Sequence, residues 1–332
     1  MVVFYVSFYI VDREVQMLDK ILLNSAVLLD IKEDNHLQSS WQFSWINSIF
    51  YFGYLSGTFI HGYFLQHASL NYYISGIVVI WGTIVALHAV CHNYGTLLTV
   101  RFFLGLFESA ITPGLILMTG LFYTRREQVS RTVIWFSFNG WAFILGGLIP
   151  FGILRQSEPA HIKRWQELYI ILGALTFTWG IICLFVMPSS PLTTKYFTDE
   201  DKKVAVQRVA ENQQGIHDCE FKWNQLKEAV SDIRLYMFFL GYTCINITNG
   251  GITSYSSQII KEFHFDNQKA SLLQMAQGFA EIVAVFLGAG IFMICNRRDL
   301  PSMAGLIVAV TGSIMMVALN AYKNPSRMAG TS

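Results

Sequence analysis

Charge is scarce in this sequence. Only 14% of its 332 residues are Asp, Glu, Lys or Arg, while 53% are hydrophobic and the mean hydropathy is +0.41. Soluble domains carry about 25% charged residues, so this balance excludes a soluble globular fold and makes the chain an integral membrane protein. The net charge of +1 excludes the basic surface that nucleic-acid binding needs. No CxxC pair occurs: Cys91, Cys183, Cys219, Cys244 and Cys295 are scattered, and four of them lie in or beside apolar runs. That spacing implies no disulfide framework and no metal site, and the five are expected to pack as small apolar groups. His-Glu-x-x-His, Gly-x-Ser-x-Gly and a phosphate-cradling loop are all missing, which argues against an enzyme and implies no cofactor. No basic leader with a small-residue cleavage site precedes the first apolar run, so a cleaved signal peptide is not expected.

Long apolar runs are what the chain does have. Eight are clear: Phe43–Leu65, Tyr72–Cys91, Thr96–Phe122, Arg131–Leu154, Gln166–Met187, Leu235–Tyr255, Ser271–Ile294 and Ser302–Asn320. Each reaches across about 30 Å of hydrocarbon at about 1.5 Å per helical residue. A ninth, Val2–Leu29, is less comfortable, because Asp12, Arg13, Glu14, Asp19 and Lys20 fall inside it. Residues 188–234 form the long polar connection, with seven of the 23 Lys and Arg. Thr198–Asp201 there reads as a helix-opening capping box, and Trp223–Ile233 as a second short helix. The expected organisation is a six-helix bundle over 1–187, a cytoplasmic loop over 188–234 and an incomplete three-helix bundle over 235–332. The inside bias of basic charge rests on that loop alone, so orientation has little support from charge.

The chain is organised around Leu97–Tyr123, which is apolar enough to cross a bilayer yet carries Arg101 and Glu108. Seven residues are close to two helical turns, so both charges share a face, about 10 Å apart along the axis. Mid-membrane charge costs about 2.5–3.5 kcal/mol on insertion scales and therefore faces a partner or a watery cavity. One reading is an ion pair locking helices together; the other is a place where an anion and a proton meet.

Small and polar residues recur where helices should touch. Gly53 and Gly57 form a GxxxG for close approach. Gly140, Gly146, Gly147, Pro150 and Gly152 are expected to make their span easy to bend, and Asn249-Gly250-Gly251 to loosen another. Trp41, Trp45, Tyr72, Tyr73, Trp165, Tyr169 and Tyr322 sit at span ends and are expected to form interfacial belts.

RFFLGLFESAITPG, followed by FYTRREQVSRTVIWFSFNGWAFILGG, resembles the fourth and fifth helices of a major facilitator transporter, and more closely the allantoate permease branch of the fungal anion:cation symporters. LDKILLNSA from Leu18 resembles the first helix of that branch, WINSIFYFGYLSG its second, and NITNGGITSYSSQII with SLLQMAQGFAEIVAV its seventh and eighth. The resemblance runs from about Met17 to Gly330. It implies an all-α major facilitator bundle, a six-helix half plus about three helices of the second half, where the family has twelve helices. NPSRMAG resembles the start of a tenth helix, so the chain looks truncated. HGYFLQHASLNYY departs from the Gly-Asp-Arg-type basic loop common in the superfamily.

The resemblance implies secondary active transport: proton-coupled uptake of a small organic anion, such as a carboxylate, ureido acid, vitamin or sulfur-containing acid, by alternating access. Arg101 and Lys20 would attract the anion, with Asn139, Asn246 and Gln277 adding hydrogen bonds. Asp19 and Glu108 would bind and release the proton, and Glu281 is a further buried acid without a role. The partners implied are the anion, the proton and the bilayer, for a monomer at the plasma membrane. The competing expectation is a truncated remnant without transport activity, retained inside the cell.

Overall fold

The computed structural model describes residues 2–35, 37, 39–156, 162–187, 200, 202, 207, 223–262, 266–295 and 299–323. Among these residues there are twelve α-helices, one 3-10 turn at His88–Val90 and no strand. The helices are α1 (Val2–Val27), α2 (Ile31–Asp34), α3 (Ser40–His67), α4 (Leu70–Leu87), α5 (Tyr94–Glu108), α6 (Ile111–Phe122), α7 (Arg125–Arg155), α8 (Arg164–Val186), α9 (Trp223–Ser231), α10 (Ile233–Glu262), α11 (Asn267–Cys295) and α12 (Asp299–Lys323). All nine expected spans are helical. Among the described residues five regions are, by length and composition, long and apolar enough to cross a membrane: Leu70–Val90, Tyr94–Gly120, Arg131–Arg155, Arg164–Val186 and Asn267–Cys295. Asp299–Met315 is apolar but shorter. The helix expected to open at Thr198 lies outside the described residues except at positions 200, 202 and 207, as do Cys219 and the stretch 324–332.

α1 is one continuous helix despite its charges, because Asp12 and Asp19 turn inward and are fully buried. The expected single span Thr96–Phe122 is instead two helices, with the break at Ser109–Ala110. Pro113 explains it: a proline has no N–H for the carbonyl four residues back, and its ring clashes with that carbonyl. The break falls directly after Glu108. α5 itself starts on a cap in which Asn93 Oδ1 accepts from the Thr96 N–H at 2.9 Å.

α7 runs unbroken through Pro150. Pro150 cannot donate to the Gly146 carbonyl. The Ser25 hydroxyl of α1 donates to that carbonyl instead, at 2.9 Å, so the helix keeps its satisfied backbone and gains a tie to its neighbour. α10 likewise continues through Asn249-Gly250-Gly251.

Close packing follows the small residues. α3 lies on α5 so tightly that a Cβ at Gly53 would run into the Phe102 carbonyl, and one at Gly105 into the Phe50 carbonyl. Gly140 of α7 and Gly278 of α11 stand against each other's carbonyls in the same way. α4 packs along α8, α1 along α7, and the far end of α10 against α1. Trp41, Trp45 and Tyr72 are exposed, in keeping with a belt, but Trp165 and Tyr169 are not: they are 2% and 0% exposed. Their polar atoms explain the difference. Trp165 Nε1 donates to Asp34 Oδ2 at 2.9 Å, and Tyr169 is bound to an arginine described below. Cys91 and Cys183 are buried as expected, whereas Cys244 and Cys295 are exposed. Exposed apolar side chains such as Phe238, Phe239 and Ile307 cover the outside of α10 and α12, as a hydrocarbon surround requires.

Candidate functional site

Consecutive residues on a helix point about 100° apart, and α1 uses this to aim Asp19 and Lys20 at different surroundings. Lys20 Nζ lies 3.4 Å from Glu108 Oε1, with side-chain exposures of 24% and 0% respectively. The ammonium also sits 5.6 Å from the centroid of the Tyr54 ring of α3. Lys20 thus lies against a buried carboxylate while part of its own side chain stays exposed. Asp19 is 1% exposed, and neither of its carboxylate oxygens has a hydrogen-bond partner among the described residues. It lies within electrostatic range of both Glu108 and Arg101.

Arg101 does not pair with Glu108, from which helical geometry separates it by about two turns. It is 3% exposed, and its Nη2 donates to Tyr169 Oη at 2.8 Å. The Tyr169 ring in turn stacks on His88, with centroids 4.8 Å apart and planes 4° from parallel. His88 Nδ1 is 2.9 Å from the Ile84 carbonyl and so carries the hydrogen. The four ionic residues Asp19, Lys20, Arg101 and Glu108 therefore come together from α1 and α5, backed by α8. Lys20 is the member at the edge. Tyr169 and His88 were missed by sequence reasoning, which assigned the tyrosine to an interface.

The polar residues expected around them divide. Asn139 is buried, and its Oδ1 has no hydrogen-bond partner among the described residues. Gln277 and Glu281 are half-buried on α11. Gly140 meets Gly278, so Asn139 and Gln277 lie at one level of the α7–α11 contact. Asn246 is elsewhere: it is exposed on α10, and its Nδ2 donates to the Tyr242 carbonyl of its own helix at 2.8 Å.

A second polar group ties the chain together where α1 ends. Asn24 Nδ2 donates to Ser256 Oγ at 2.7 Å, and the Ser257 N–H donates to Asn24 Oδ1 at 3.1 Å. Gln274 of α11 donates to Ser257 Oγ. Around these, Lys32 Nζ donates to Gln258 Oε1 at 2.9 Å, Asn267 Nδ2 to the Leu28 carbonyl at 3.0 Å, and Tyr255 Oη to Ser44 Oγ at 2.9 Å. The opposite half of α10, from Ile233 to Ile252, is exposed almost throughout. α10 is therefore held to α1 at one end and stands apart at the other. A scatter of single Ser, Asn and Gln residues gave no signal for this in the sequence, because interhelical hydrogen bonding has no spacing rule across separate spans.

The geometry defines a multi-pass helical membrane protein with an ionic core and helices that close together at one end. Residues 15–329 match the Major Facilitator Superfamily, and the chain belongs to that family. It is 30% identical to the allantoate permease of Saccharomyces cerevisiae over 329 residues, covering 95% of this chain and 60% of that protein. A thiamine pathway transporter of the same yeast is 30% identical over 303 residues, with 91% of this chain and 57% of that protein covered. The yeast high affinity cysteine transporter is 26% identical over 308 residues, covering 91% and 57%. The chain thus spans less than two thirds of the length of these relatives. In fold it is similar to a bacterial homologue of the human lysosomal transporter Spinster, in an inward-facing, unoccupied conformation, with TM-score 0.65, 14% identity, and coverage of 87% of this chain and 62% of that one. A D-xylose–proton symporter gives TM-score 0.57 at 14% identity, covering 86% and 68%.

Proposed function

We propose that this chain carries a small organic anion across the plasma membrane together with a proton, acting as a monomer in which residues 1–187 rock against the helices of 235–332. The single observation that carries this reading is the partly exposed Lys20 ammonium 3.4 Å from the fully buried Glu108 carboxylate. An ammonium so placed is shared by two competing anions. At an effective dielectric of about 20, a unit charge pair at that separation attracts by about 5 kcal/mol before desolvation is subtracted. Protonating Glu108 removes that attraction and frees Lys20 for a substrate carboxylate. Proton and anion therefore bind better together than separately, and by linkage each raises the affinity of the other by the same factor, typically about 5–150-fold.

Asp19 takes the second proton-coupling role. It lies beside Glu108 and Arg101, buried and without hydrogen-bond partners among the described residues. Arg101 is bound to Tyr169 and acts on the anion through its field rather than by contact. Asn139 and Gln277, at one level of the α7–α11 seam, supply polar contacts to the uncharged part of the substrate. The relatives support a substrate that is small and carries a carboxylate, since one is an allantoate permease and another a cysteine transporter. The polar contacts between α1, α10 and α11 form the closed side, and the exposed first half of α10 borders the open, cytoplasmic side.

The test is uptake of labelled allantoate, as probe, into proteoliposomes containing this chain, with the outside made acidic. Accumulation should follow the pH gradient, collapse with a protonophore, and be lost in Lys20→Ala. Uptake that is indifferent to the gradient, or unchanged by Lys20→Ala, would overturn the reading.

A further inference from the structure

Beyond the ionic residues already placed, one buried acid has no assigned role. Asp12 of α1 is 0% exposed. Its Oδ1 accepts from Trp179 Nε1 of α8 at 2.7 Å, while Oδ2 has no hydrogen-bond partner among the described residues. It also makes no ion pair among them. Asp12, Gln16 and Asp19 fall at positions i, i+4 and i+7, one face of the helix. Gln16, between the two acids, has its Oε1 3.2 Å from Thr112 Oγ1, just past the break that follows Glu108. Asp12 therefore belongs to the same buried face as the ionic core, about 10 Å from Asp19 along the axis.

Counting charge makes this placement consequential. Among the described residues the buried carboxylates are Asp12, Asp19 and Glu108, and the cations that face them are Arg101 and Lys20. Three carboxylates against two cations leave one negative charge in excess if all are ionised. An isolated ionised carboxylate away from water is so costly that it neutralises instead. We propose that Asp12 is a proton-binding site that keeps this core neutral at rest. Asp19 and Glu108 each have a cation in electrostatic reach, whereas Asp12 has none among the described residues, so the resident proton sits on Asp12 Oδ2. The rest of its surroundings leave that assignment standing. On α8 its neighbours are Trp179 and the Cys183 thiol. On α1 itself the nearest described acid is Glu14, which is half-buried. On α7, Glu127 bonds Thr124 and Arg131 lies over the Tyr123 ring. α6 contributes the Thr112 hydroxyl, and α2, α10 and α11 lie at the other end of α1, around Leu28, Asn24 and Lys32. Among the described residues His88 could also supply a positive charge, but it stacks on the tyrosine that holds Arg101, where a second cation is repelled.

Infrared difference spectroscopy of the reconstituted chain tests this directly and does not depend on transport. At neutral pH the unmutated chain should show a carboxylic-acid carbonyl band. Asp12→Asn, which keeps the oxygen that Trp179 bonds, should lose it, while Asp19→Asn should retain it. Trp179→Phe should keep the band and move it to higher frequency, because the carbonyl loses its donor. A chain without the band at neutral pH, or an Asp12→Asn chain that retains it, would overturn the proposal. If allantoate uptake fails while the band behaves as stated, the transport reading falls and the assignment of Asp12 stands.

Discussion

The pair formed by Lys20 and Glu108 is asymmetric, and that asymmetry can be measured. Glu108 is 0% exposed and Lys20 24%, with 3.4 Å between them. Lys20→Ala removes the cation beside a fully buried carboxylate, and breaking a buried pair from that side costs about 3–5 kcal/mol. Glu108→Gln leaves an ammonium on a flexible stem that is already partly exposed. It re-solvates by moving its head outward, so the loss is under about 2 kcal/mol, the scale of one unsatisfied polar group. The double variant Lys20→Ala/Glu108→Gln removes both charges and should be more stable than Lys20→Ala alone, with a coupling of about 1.5–3 kcal/mol. The assay is equilibrium unfolding of the four chains in the same detergent, followed by tryptophan fluorescence. Two single variants of equal cost, or a double variant whose cost is additive within about 0.5 kcal/mol, would show that the pair is a surface contact. The competition between substrate and Glu108 for one ammonium would then have no basis.

Other consequences are open to similar checks. Tyr169→Phe removes the acceptor of Arg101 Nη2 and should cost about 1.5–3 kcal/mol in the same unfolding assay, the range for hydrogen bonds to charged groups. Gly140→Val places a Cβ against the Gly278 carbonyl and Ile282 and should destabilise by about 1–3 kcal/mol, whereas Gly241→Val, with nothing within reach, should be near neutral. Cysteines introduced together as Asn24→Cys and Ser256→Cys should cross-link under mild oxidation, stop allantoate uptake and release it on reduction. Ser25→Ala should cost about 1–3 kcal/mol by stranding the Gly146 carbonyl, and most of that cost should vanish when Pro150→Ala supplies an N–H in its place.

Much of the fold was legible because hydrocarbon imposes a length. Runs of about 20 apolar residues mark spans whatever packs against them, and the GxxxG at Gly53 and Gly57 marked a real close approach between α3 and α5. The misreadings came where a residue has two uses. Pro113 and Pro150 are the same residue type inside apolar spans. One breaks its helix, and the other does not, because Ser25 reaches the carbonyl that Pro150 leaves without a donor. That hydroxyl lies 121 positions away in sequence. Tyr169 and Trp165 sit at a span end as belt residues do, but Arg101 and Asp34 give their polar atoms partners inside the protein. Sequence position cannot separate these cases, since the partner comes from another helix.

The ionic site was legible in type and not in pairing. Arg101 and Glu108 share a helix face, and that much follows from a spacing of seven. Their partners are set by α1, which inserts Asp19 and Lys20 between them. Adjacent residues project about 100° apart, so Asp19 and Lys20 approach the charges of α5 from different sides. Asp19 is 1% exposed, whereas the Lys20 side chain keeps 24% of its surface exposed. The break after Glu108 leads into α6, whose Thr112 hydroxyl meets Gln16 of α1. The polar residues of α1 thus sort by depth rather than by order in the chain: Asp12 and Asp19 toward the sealed core, Lys20 toward the opening, and Asn24 toward the closed seam with α10. A helix carrying that sequence is a poor membrane span when taken alone. Packed against α7, α8 and α10, it finds partners there for Ser25, Asp12 and Asn24, which its hydropathy alone does not show.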